Sequence, residues 1–95
     1  MEKGLHSATV NHFFDAVLSL ENQEECYQFF EDVCTVKELV AIAQRLEVAK
    51  MLREERTYLD IAKETGASTA TISRVNRSLN YGNQGFDMVL ERIEK

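Results

Sequence analysis

The stretch GASTATISRVNRSL, residues 66–79, decides the fold. Ile72, Val75 and Leu79 fall at i, i+3 and i+7, a spacing that lines one side of a helix. Ser68 stands where an N-cap is wanted, so the helix is expected over about Thr69 to Leu79. At about 100° per residue, the opposite side carries Ala70, Ser73, Arg74 and Arg77. Immediately upstream, Thr57 caps a shorter helix from Tyr58 to Thr65, with Ile61 and Ala62 on its inner face. Gly66 then follows where the chain needs a positive φ. Two short helices, a tight turn, and small or apolar residues where the helices touch make a helix-turn-helix at about residues 58–79.

Such a unit is suited to DNA. A helix in the major groove brings its backbone close to base edges, so small side chains at its front, here Ala70 and Ser73, permit approach. Arg74 and Arg77, further along, reach phosphate or guanine. Thr69 and Thr71 can hold phosphates directly or through water, and Lys63 adds a backbone contact. The same residues also describe a capped amphipathic helix with a solvated outer face, or a surface for a protein partner on the same scaffold. Asp60, on the first helix of the motif, counts mildly against tight DNA contact.

Charge distribution separates the motif from its surroundings. The net charge of −5 argues against nonspecific coating of nucleic acid. Residues 1–55 carry 5 basic and 11 acidic side chains, whereas residues 56–86 set Arg56, Lys63, Arg74 and Arg77 against Asp60 and Glu64. The positive charge is therefore local to the motif.

Upstream, the pattern is helical throughout. Val10, Phe13, Phe14, Val17 and Leu18 mark an amphipathic helix over about Ser7 to Leu20. Asn22 caps a second helix, with Glu24 and Glu25 in its first turn, where the helix dipole favours carboxylates. Its wide apolar set, Cys26, Tyr27, Phe29, Phe30, Val33 and Cys34, reads as core. Thr35-Val36-Lys37-Glu38 has the capping-box form, and Leu39, Ile42, Ala43, Leu46 and Ala49 continue one face of a third helix. That helix runs about 18 residues and ends near Arg53 in the charged run REER. Downstream, Asn80 to Gly85 (NYGNQG) is the strongest loop signal, and Phe86 to Ile93 is expected to form a last short helix. With no proline and only four glycines, the whole reads as an all-α chain of six helices, a single helical domain over 1–95.

Other chemistries find little support. His6 and His12 lack a CxxC or HxxxH partner, so no metal site is expected. Asp60 and Glu64 share a helix face but meet no nucleophile, no phosphate-cradling glycine loop is present, and an enzyme is not expected. No cofactor is implied. Cys26 and Cys34 would lie about 12 Å apart along one helix, too far for a disulfide, and read as free thiols of a reducing cytoplasm. The N-terminal MEKGLHSATV has no basic cluster followed by an apolar run, and no run approaches the roughly 20 residues that span a bilayer, so a soluble cytoplasmic protein is expected.

The segment ETGASTATISRVNRSL (Glu64 to Leu79) resembles the DNA-reading unit of the tryptophan repressor, most specifically at Gly66-Ala67 and Ala70 to Arg74. The likeness extends over roughly residues 35–80, and the whole chain resembles the YerC/YecD-type group of tryptophan-repressor-related proteins. What the resemblance implies is a six-helix subunit interlocked with a second copy in an intertwined homodimer. Two reading heads would then face successive major grooves about 34 Å apart on double-stranded DNA. An unshared core is the alternative, although Phe13, Phe14, Phe29 and Phe30 are a large apolar surface for so short a chain to hide. The resemblance also implies a corepressor pocket in which an indole lies between two arginines. Arg45 and Arg74 are similar to those arginines, and Thr35 and Ser78 to polar pocket residues. Here the sequence departs: the residue after the second arginine is Val75 where the repressor has glycine. Tryptophan is therefore not expected to bind. The implied function is a sequence-specific transcription regulator of repressor type, with no effector identified.

Overall fold

The computed structural model describes residues 6–94. The first five residues, part of the N-terminal stretch read above for a targeting signal, and Lys95 lie outside the described residues. Six helices follow in order: α1 (Ala8–Leu18), α2 (Gln23–Val33), α3 (Val36–Arg53), α4 (Tyr58–Thr65), α5 (Thr69–Tyr81) and α6 (Gly85–Ile93). No strand occurs among the described residues, and no helix among them is long and apolar enough to cross a membrane.

Local chemistry starts most of these helices. The Ser7 hydroxyl accepts from the Val10 amide at 3.1 Å, and the Asn22 side chain accepts from the Glu25 amide at 2.9 Å. At the head of α3 the capping box closes in both directions. The Glu38 amide donates to Thr35 Oγ1 at 3.0 Å and the Thr35 amide donates to Glu38 Oε1 at 2.8 Å. Thr57 and Ser68 cap α4 and α5 in the same manner, each at 3.1 Å.

Helix α3 ends without glycine. Glu55 takes φ of 62°, its amide donates to the Leu52 carbonyl and the Arg56 amide to the Met51 carbonyl. This is the Schellman pattern, with a glutamate at the left-handed position. Helix α5 runs two residues further than its periodicity suggests, through Asn80 and Tyr81, and stops at Gly82. A Cβ on Gly82 would lie 2.5 Å from the Ser78 carbonyl oxygen, so the glycine marks the stop. The expected loop Asn80–Gly85 thus shrinks to about three residues. The first two of its six residues have no conformational reason to leave the helix before Gly82, and Gly85 already belongs to α6.

The chain divides into two compact units, one ending at Leu39 and one beginning at Val40. In the second unit, Val48, Ala49, Met51, Ile61, Ala67, Ile72, Val75 and Leu90 form the core, flanked by the half-buried Leu46, Leu52, Ala62, Leu79 and Phe86. Arg53 Nε lies 3.4 Å from Asp87 Oδ1, which ties the end of α3 to the start of α6.

The first unit corrects the expectation that α2 is core: neither α1 nor α2 contains a buried residue. Phe13 of α1 meets Phe29 and Phe30 of α2 at ring-centroid distances of 5.9 and 6.4 Å, and Phe29 packs edge-on against Phe30 at 5.3 Å. These contacts join two helices, and Tyr27 and Val33 stay exposed. The apolar face of α3 is likewise open along its first half, where Val40 is 59% and Ile42 52% exposed. Cys26 and Cys34 are free thiols.

Candidate nucleic-acid interface

Helices α4 and α5 are fastened to the second unit by Ile61, Ala67, Ile72 and Val75, which are between 0 and 5% exposed. The turn between them is held by its own backbone and by one threonine. Gly66 adopts φ of 76°, and its amide donates to the Ala62 carbonyl at 2.9 Å. Thr65 Oγ1 donates to the Ile61 carbonyl at 2.7 Å and accepts from the Ala67 amide at 3.1 Å. The Gln44 side-chain amide, on α3, donates to the Thr65 carbonyl at 2.9 Å.

With Ile72 and Val75 turned into the core, the other side of α5 faces outward. Thr69, Ala70, Arg74 and Arg77 are exposed, Ser73 and Thr71 half-buried, and Lys63 exposed on α4. The first turn of α5 contains no acidic residue, so the partial positive charge of its amides is not offset there. Thr71 is already engaged locally, because the Ser68 hydroxyl donates to its Oγ1 at 3.1 Å. The small exposed residues Thr69 and Ala70 thus precede two exposed arginines on α5.

The cations of this region are not equivalent. Arg56 pairs with Glu64 through a short contact and with Glu54 at 3.9 Å. The hydrogen bond to Glu64 is the main reason that the guanidinium is held above its ordinary pKa. Ion pairs among the described residues involve Lys50, Arg53 and Arg56. Lys63, Arg74 and Arg77 are not among them. Charge counting credits Arg56 to the motif, whereas tertiary pairing takes it away. Nothing local in the sequence announces that partner, which stands eight residues on.

The residues compared above with a corepressor pocket are distributed unevenly. Thr35 belongs to the first unit and its hydroxyl caps α3. In the second unit, Arg45, Arg74 and Ser78 are exposed, while the Val75 side chain lies in the core, 3% exposed. Two surface depressions, one on α6 (Gln84, Asp87, Met88, Glu91, Arg92) and one on the first unit (Leu20, Glu25, Gln28, Phe29, Asp32), include none of them.

Comparison with known proteins places this geometry. A family model described as Trp repressor protein matches residues 8–94. The uncharacterized protein YerC of Bacillus subtilis (strain 168) is 55% identical over 91 residues, covering 96% of this chain and 88% of YerC. The crystal structure of a TrpR-like protein from Eubacterium eligens ATCC 27750 is 62% identical and superposes with a TM-score of 0.95, covering 98% of this chain and 96% of that one. A Staphylococcus aureus chain proposed to be a Trp repressor is 54% identical, with a TM-score of 0.94 and coverage of 97% and 92%.

Proposed function

The chain belongs to the Trp repressor protein family, in its YerC-type branch, and from that premise we propose that it is a homodimeric transcription regulator that binds a roughly palindromic operator through α4 and α5. The observation that carries this reading is the outward face of α5, where Ala70, Arg74 and Arg77 stand exposed on a helix whose other side is buried. Ala70 and Ser73 lie against base edges, Thr69 and Thr71 hold phosphates, and Arg74 and Arg77 contact phosphate or guanine. Lys63 adds a contact to the phosphate backbone. The open apolar surfaces of α1, α2 and the first half of α3 are covered by the second copy, which completes a core that one chain leaves unfinished.

Tryptophan plays no part in this reading. Val75 stands where the repressor has glycine, its side chain buried in the core, and in this reading α4 and α5 are held by the apolar packing of Ile61, Ile72 and Val75 rather than by a small molecule. Selection from a random pool of DNA duplexes tests the proposal: one enriched sequence with approximate twofold symmetry is expected. Mobility shifts on that sequence should weaken steeply with salt, and a log–log slope near zero removes the phosphate contacts. Enrichment of nothing would instead favour a protein-interaction module on the same scaffold.

A further inference from the structure

We propose that Gln44 is a positioning residue for DNA recognition, one that fixes the reading helix against α3 by gripping the C-terminal end of α4. The inference rests on the DNA-binding reading and adds to it a residue that lies outside the helix-turn-helix.

The argument starts from the carbonyls at the end of a helix. The last turn of α4 leaves carbonyl groups without partners further along the same helix, and these carry the negative end of the helix dipole. At the turn, the Gly66 amide satisfies Ala62, and Thr65 Oγ1 satisfies Ile61 while accepting from Ala67. All of these bonds stay within α4 and the turn. The Thr65 carbonyl is different, because its donor is the half-buried amide of Gln44, 21 residues earlier on α3. Among the described residues, this is the hydrogen bond that ties the turn to α3. Gln44 also lies directly against the turn: a Cβ built on Gly66 would be 4.0 Å from its Nε2.

A hydrogen bond at this place acts on direction. Apolar packing of Ile61, Ile72 and Val75 holds α4 and α5 on the core but tolerates small rotations, whereas a directional, half-buried donor at 2.9 Å selects one of them. The residue beyond the turn, Ser68, opens α5, so a rotation at Thr65 is carried directly into the reading helix. Gln44 thereby supplies from within the chain an alignment that needs no bound ligand.

The test uses the full chain and the duplex enriched by selection. Gln44→Leu removes the donor and leaves a branched apolar side chain one atom shorter. Gln44→Glu places a carboxylate against a carbonyl, and that carboxyl becomes a donor again when protonated. At pH 7.5, Gln44→Leu is expected to lose about three- to tenfold in affinity, and Gln44→Glu at least as much. Relative to the parent chain at each pH, the Gln44→Glu deficit should shrink towards twofold near pH 5, while the Gln44→Leu deficit stays constant. Amide exchange at residues 66–71 should quicken in both variants at pH 7.5, with the dimer intact by sedimentation. Variants that bind the duplex like the parent at every pH, even with a lowered melting temperature, would overturn this inference and leave DNA binding untouched. A parent chain that enriches no duplex overturns both.

Discussion

At the scale of single residues, the outward face of α5 makes distinguishable claims. If Arg77 contacts phosphate, Arg77→Ala should weaken binding evenly across operator variants and lower the salt slope by about one. If it reads guanine, the loss should fall on one base position. Competition binding against a set of single-base operator mutants separates the two, and equal affinity of variant and parent would take Arg77 out of the interface. Val75 makes the second claim. Calorimetric titration with tryptophan should give no binding heat, and micromolar affinity would defeat the idea that valine in place of glycine abolishes the site. Val75→Gly removes a buried side chain and introduces a flexible residue in mid-helix, so a stability loss of about 2–4 kcal/mol is expected in denaturant melts. The exposure of Ala70, Arg74 and Arg77 was legible from helical spacing alone, because three anchors at i, i+3 and i+7 fix where the opposite face points. The loss of Arg56 to Glu64 was not legible, since it depends on how the turn after α3 brings the two together.

At the scale of elements, the helix starts were the most readable feature. Each cap is a contact over three residues, so Asn22, Thr35, Thr57 and Ser68 carry their own instruction, and Ser7, read only as the start of the first helix, caps it in the same way. Helix ends were harder. Gly66 announces the end of α4, but Glu55 ends α3 in the left-handed region that glycine favours, at a cost that its sequence does not advertise. Glu55→Gly is therefore expected to stabilise the protein by about 0.5–1 kcal/mol, the relief of backbone strain outweighing the added freedom of the unfolded chain. Thermal or urea melts check this, and a destabilised variant would show that the glutamate side chain contributes more than its conformation costs. The last two residues of α5 escaped the sequence reading for a related reason: NYGNQG is rich in turn formers, yet only Gly82 enforces the stop.

At the scale of the whole molecule, the deciding fact is where burial is missing. Among the described residues, the eight buried ones run from Val48 to Leu90, while Phe14, Tyr27, Val33, Val40 and Ile42 remain exposed. In water this arrangement is unfavourable unless a second copy covers it, so the protein should sediment at twice the chain mass and its melting temperature should rise with concentration. Ile42→Asp, which sets a charge on the exposed face of α3, should shift the population towards monomer or unfolded chain at micromolar concentration. An unchanged dimer would move the interface elsewhere. By itself, the sequence determined six helices, the caps of the second to the fifth, the glycine turn and the outward residues of α5, because each is settled by contacts within about one helical turn. Tertiary structure alone decided which apolar faces are buried, which arginines keep their charge free, and that Gln44 grips the turn at Thr65. Those outcomes depend on groups 8 to 34 residues apart, whose meeting is set by packing and by no local pattern.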